Sequence, residues 1–93
     1  MNKKNKKYLQ RMVMQIEQHQ AGSISLQKMH DNVWALFELI DESDRSEEFC
    51  RNFHHYWDYV EEIVAIGKSS DYLDEIEGVI IPGLKKMLLE YQD

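Results

Sequence analysis

Several kinds of residue are scarce in this chain of 93 residues, and each scarcity removes a class of function. A single cysteine, Cys50, leaves no partner for an intramolecular disulfide. The four glycines, Gly22, Gly67, Gly78 and Gly83, stand apart from one another, so none builds a phosphate-cradling loop. There is one proline, Pro82, which marks one place where a helix should be disturbed. No apolar run approaches the roughly 20 residues a membrane span takes. The lysines near the start are not followed by the apolar stretch and small-residue cleavage site of a secretory signal. The expected localisation is therefore cytoplasmic, with no membrane partner.

Acid is missing from one end. Lys3, Lys4, Lys6, Lys7 and Arg11 occupy the first eleven residues without a single Asp or Glu among them. The formal net charge is -6 overall, from 11 basic and 17 acidic residues, so everything after Arg11 carries six positive against seventeen negative charges. A body this acidic repels phosphate backbones and attracts basic protein surfaces, which argues against direct nucleic-acid binding. Length points to one domain over 1–93. Split in two, neither half would bury enough surface to offset its chain entropy without disulfides or metals.

What the chain has in quantity is helical periodicity. Phe49, Phe53, Tyr56, Trp57, Val60, Ile63 and Val64 fall at i, i+4, i+7, i+8, i+11, i+14 and i+15, one stripe of an α-helix and no face of a strand. Residues 1–7 lack periodicity and read as a frayed tail, because basic residues at a helix start oppose the macrodipole. A first helix then carries Leu9, Met12, Val13, Ile16 and Gln20 inward and stops at Gly22. Ser25 is placed to cap a second helix over about Leu26 to Asp41, whose inner face is Leu26, Met29, Val33, Leu36, Phe37 and Ile40. Asp44 with Glu47 fits a capping box for the third helix, which begins near Ser46 or Glu47 and ends before Gly67. A serine after Lys68 should cap the fourth, which Gly78 and Pro82 should kink near Val79 to Ile81. The fold class is all-α, a compact bundle of four helices with the last one kinked near Pro82.

Catalytic and metal chemistry find little support. His54 and Asp58 are four apart on a helix, Cys50 precedes and Glu61 follows, and His19 or His30 could in principle join them from other helices. A helical His-x-x-x-Asp pair supplies two ligands where a closed site needs four and a catalytic one three. Neither Glu-x-x-His nor His-Glu-x-x-His occurs, which argues against a di-iron bundle. Cys50 sits among acids, which disfavour a reactive thiolate. No enzyme activity, cofactor or metal is expected.

Binding is better supported. Glu38, Asp41, Glu42, Asp44, Glu47 and Glu48 place six acids in eleven residues, offset only by Arg45. Dipole complementarity accounts for the acids that open helix three, but not for Glu38, Asp41 and Glu42 at the end of helix two, where acid is unfavourable. Trp34 lies about 110° from the middle of the second helix's apolar stripe, a half-exposed aromatic that could anchor an interface. Asp58 and Glu62, an unfavourable i, i+4 pair on the outside of helix three, offer a second acidic face.

The Gly22-Ser23-Ile24-Ser25-Leu26 link together with Phe49-x-x-x-Phe53-x-x-Tyr56-Trp57-x-x-Val60-Glu61-Glu62-Ile63-x-Ala65 resembles the small all-helical immunity proteins encoded beside bacterial polymorphic toxins, including those of contact-dependent growth inhibition systems. The resemblance runs from about Leu9 to Leu88 and carries over no contact residue. It implies a cytosolic, acidic inhibitor that binds one cognate toxin domain, often a nuclease. The expected function is neutralisation of a basic toxin through the acidic surface. A helical adaptor or regulatory protein, and after it a metal-binding helical module, are the alternatives.

Overall fold

The computed structural model describes residues 1–67 and 70–92, apart from the side chains of residues 70 and 71. Helix α1 spans Lys3–Gln20, α2 Leu26–Leu39, and α3 Glu47–Ile66, with a short 3-10 turn Glu42–Asp44 between the last two. The fourth helix is built from α4 (Ser70–Glu75), a π turn (Ile76–Ile80) and α5 (Ile81–Gln92). The all-α four-helix bundle is thus as expected.

The boundaries follow local chemistry, with two corrections. The frayed tail expected over residues 1–7 gives way to an ordered first turn. Asn2 takes the N-cap position of α1, its side chain accepting from the Asn5 amide at 2.8 Å, and the Asn5 side chain is fully buried. That cap, together with bonds from Asn2 and Asn5 to Asp44, outweighs the dipole penalty of the neighbouring lysines, which is only about 0.3–1 kcal/mol per charge at an exposed site. The second correction concerns α3. Its cap is Ser46, whose hydroxyl accepts from the Phe49 amide at 3.1 Å, while Asp44 turns away toward α1. Ser25 caps α2 as expected, accepting from the Lys28 amide at 3.1 Å. Gly22 and Gly67 both stand at φ 81°, a positive φ that glycine adopts at little cost just past the ends of α1 and α3. The expected serine cap of the fourth helix lies outside the described residues.

Pro82 disturbs the fourth helix one turn ahead of itself. The missing amide of Pro82 cannot bond the carbonyl four residues back, and the backbone widens instead, so that the Ile81 amide reaches the Ile76 carbonyl, five residues earlier. The expected kink is therefore a π turn, Ile76–Ile80.

One continuous core results. Helix α1 packs on α2 and α5, and α3 closes the other side against α5 and α2. Leu9, Met12 and Ile16 of α1, Met29 and Val33 of α2, and Ile76, Ile81, Leu84 and Leu88 of the fourth helix are essentially inaccessible. From α3 come Phe49, Phe53, Trp57, Val60 and Ile63, five of the seven stripe positions, while Tyr56 and Val64 are half-buried. Gln20 is exposed, and His19 takes the inward place beside it. Its Nδ1 donates to the Ile24 carbonyl at 3.0 Å and its Nε2 lies 2.6 Å from Glu77 Oε1, tying the α1–α2 link to the π turn.

The α2–α3 seam is aromatic. Phe37 and Phe53 stack at 4.2 Å and 11°, Phe53 and Trp57 at 5.2 Å and 25°, and His30 covers Trp57 at 5.1 Å and 7°. Such pairs add about 0.5–1.5 kcal/mol each beyond the area they bury. Trp57 has no hydrogen-bond partner for Nε1 among the described residues, so its place rests on shape and stacking.

If Ser46 is the operative cap, Ser46→Ala should cost about 1 kcal/mol of unfolding free energy in urea. Ser23→Ala, at an exposed position in the α1–α2 link, should stay within about 0.5 kcal/mol. Equal midpoints for the two variants would refute the assignment.

Candidate functional site

The acidic corner between α2 and α3 is built around a buried amide. Ile40, in extended conformation after α2, is 1% exposed and anchors the turn in the core. Beyond it the chain meets the start of α1. Asn5 Nδ2 donates to Asp44 Oδ2 at 2.6 Å and approaches Asp41 Oδ2 at 3.4 Å, and Asn5 Oδ1 accepts from the Asp41 amide at 3.4 Å. The backbone amide of Asn2 adds a bond to Asp44 Oδ2 at 2.9 Å. These donors hold the Asp44 carboxyl below its ordinary value of 3.8, the Asn2 amide first and the Asn5 side chain next. Desolvation opposes them, and the N-terminal ammonium reinforces them.

This geometry divides the acids expected to bind a partner. Asp44 is half-buried and committed to α1, and Asp41, although exposed, leans on Asn5 and Asn2. Glu38, Glu42, Glu47 and Glu48 are exposed. Arg45, the cation within the run, lays its guanidinium over the Phe37 ring with Cζ 5.7 Å from the centroid. Cys50 steadies the same turn, its thiol donating to the Arg45 carbonyl at 3.7 Å.

Trp34 occupies the boundary of the bundle. It is half-buried, stacked on Phe37 at 5.4 Å and on Trp57 at 6.3 Å, with His54 edge-on at 6.2 Å. The ring is thus part of the aromatic seam, and only its outer edge is free to meet a partner.

The second face carries exposed Asp58 and Glu62 beside a shallow groove of about 390 Å³ that His54, His55 and Tyr59 also line. Each acid has its own donor. Asp58 Oδ1 lies 3.1 Å from His54 Nδ1, and Glu62 Oε2 accepts from the Tyr72 hydroxyl at 3.2 Å. Burial, then that carboxylate, push the Tyr72 phenol up. The i, i+4 repulsion between the acids is thereby eased. Glu47 and Asp58 are separated by about 16 Å along α3, so the two faces are distinct surfaces.

The residues considered as metal ligands are scattered. Among the described residues no three His, Cys, Asp or Glu side chains gather into a possible metal site. His19 faces Glu77 and His30 covers Trp57, each far in role from His54 and Asp58. Among the described residues no helix is long and apolar enough to cross a membrane. In comparisons with known proteins, the chain matches no family model, no curated protein and no solved structure.

Asn5 is the residue that sequence patterning passes over. It precedes Leu9, Met12 and Ile16 at helical spacing, on the same stripe as the core, and only its polarity hides it among the lysines. Replacing it with alanine should cost about 1–3 kcal/mol in urea unfolding, because its bonded partners lose a donor and an acceptor inside the fold.

Asp44 gives a signed pH dependence. Because its folded pKa is depressed, its contribution is fully present above 3.8 and is lost as pH falls through the folded value. The melting-temperature gap between the wild type and Asp44→Asn should be constant near neutrality and should narrow below about pH 4. A gap that widens in acid would contradict this.

Proposed function

We propose that the protein is a non-catalytic inhibitor of the immunity type, one that docks a basic toxin domain, nuclease in class, on its acidic α2–α3 corner. The observation that carries this reading is the pinned corner itself. Glu38, Glu42, Glu47 and Glu48 are exposed around a turn tied down from three sides: by Ile40 in the core, by Asn5 and Asn2 of α1, and by the Ser46 cap. A rigid array of like charge loses little conformational entropy on binding, and its field speeds encounter with a positive surface. A nuclease must present such a surface to phosphates, so an acidic cover can block it without any chemistry of its own.

The division among the acids decides which substitutions are informative. Reversing Asp44 would cut the α1 tether, and its effect on binding would be confounded with stability. Glu38, Glu42, Glu47 and Glu48 are the residues whose charge is available to a partner.

Co-expression with the product of the adjacent upstream gene tests the function directly. The proposal expects rescue from toxicity and co-purification of the two chains. Co-purification without any toxicity to rescue would favour an adaptor, and absence of both would reject the reading. Against the toxin, joint reversal of Glu38, Glu42 and Glu47 to lysine should slow association about tenfold or more, whereas reversal of exposed Asp74 and Glu75 should change it less than about twofold. Equal effects at the two places would remove the corner from the interface.

A further inference from the structure

A groove of about 510 Å³ runs between α3 and α5, apart from the corner but sharing Glu48 with it. Glu48, Asn52, His55 and Tyr56 line it from α3, and Met87, Glu90 and Tyr91 from α5. Its walls are fixed. Tyr56 lies directly on Gly83, where a Cβ would come within 2.6 Å of the ring atom Cε1, so the tyrosine occupies space that only glycine leaves open. Tyr91 stands edge-on to Phe49 at 4.9 Å and 76°, and its hydroxyl oxygen lies 3.0 Å from Asn52 Nδ2. Met87 is 6% exposed and forms an apolar floor. Glu48 and Glu90 are exposed at the rim, and among the described residues neither has a cationic partner within 4.0 Å. No lysine or arginine lines the groove.

We propose that this groove receives an arginine side chain from the basic partner. Two tyrosine rings line the groove, Tyr56 with the His55 ring edge-on to it at 4.8 Å and 82°; aromatic walls of this kind attract a flat guanidinium, the apolar floor suits its methylene stem, and the two carboxylates are acceptors for its forked N–H donors. Lysine, a compact and strongly hydrated point charge, fits the rings and the fork less well. The assignment rests on the basic-partner reading above. It adds a pocketed anchor to a surface otherwise made of charge, and anchors in pockets carry most binding energy in such interfaces.

The test uses the intact protein and a blocked Gly-Arg-Gly tripeptide, followed by NMR, with the matching citrulline and lysine peptides as controls. The arginine peptide should shift the Tyr56, Tyr91 and Asn52 side-chain resonances in a saturable way, more strongly than lysine, with citrulline nearly silent. Glu48→Gln with Glu90→Gln should weaken that response about tenfold while lowering the melting temperature by no more than about 5 °C, the loss expected from one first-turn acid of α3. Gly83→Ala should displace Tyr56 and weaken the response too, with Tyr56 resonances in the free protein reporting the displacement even if stability falls. Shifts confined to residues 38–47, or equal responses to arginine and lysine, would overturn the groove assignment and leave the basic-partner proposal standing. If co-expression fails while the peptide still binds the groove, the immunity reading falls and the arginine site survives.

Discussion

Leaving a buried amide unbonded is costly, and that constraint organises the corner between α1, α2 and α3. The Asn5 side chain is completely enclosed, and the partners within its reach are Asp41 and Asp44. Satisfying it brings the most basic segment of the chain against the most acidic one. The same bonds order the start of α1, fix the turn after α2, and separate the carboxylates committed to α1 from those left exposed. Charge separated along the sequence, basic through Arg11 and acidic after it, is thus partly reunited in space. The exposed acids that make no bond to α1, Glu38, Glu42, Glu47 and Glu48, surround this junction.

The aromatic seam supports the junction from behind. Phe37 serves both: its ring stacks on Phe53 within the core, and Arg45 rests on it from the turn. In the proposed reading, helix α3 therefore contributes chiefly stiffness. Its stripe belongs to the scaffold, its N-terminus supplies Glu47 and Glu48, and its flank supplies one wall of the tyrosine groove.

The helices are legible in the sequence because burial and periodicity agree: Leu9, Met29, Phe53 and Leu84 sit on stripes and all are inaccessible. The corner is legible as composition and not as structure. Spacing to Glu47 suits Asp44 as a helix cap, but Ser46 lies nearer the helix start, and a buried amide 39 residues away competes for the carboxylate. No local pattern reports a contact of that sequence separation. Trp34 shows the same limit. Its angle on the helical wheel places it correctly at the boundary, yet whether a boundary tryptophan faces solvent or a neighbouring ring depends on α3, which α2's own periodicity does not encode. The groove is out of reach for the same reason, since Gly83 matters only once Tyr56 is laid across it.

The π turn bears on how this chain tolerates changes of length. In an unbroken α-helix, Ile81 would stand about 140° around the axis from Ile76, and the two could not both face the core. The widened turn absorbs one residue of phase, so Ile76, Ile80 and Ile81 are all buried and α5 begins in register with the bundle. In this respect the segment behaves as a helix carrying a single-residue insertion. Removing Gly78 would take out the surplus residue and leave Leu84 and Met87 facing the core, but it would set the Pro82 ring against the carbonyl of an ordinary α-helical turn. Straightening the turn with every residue kept would instead rotate α5, carrying Leu84 and Met87 off the core together with the α5 wall of the groove. The irregular turn is what keeps the two halves of the last helix pointing the same way.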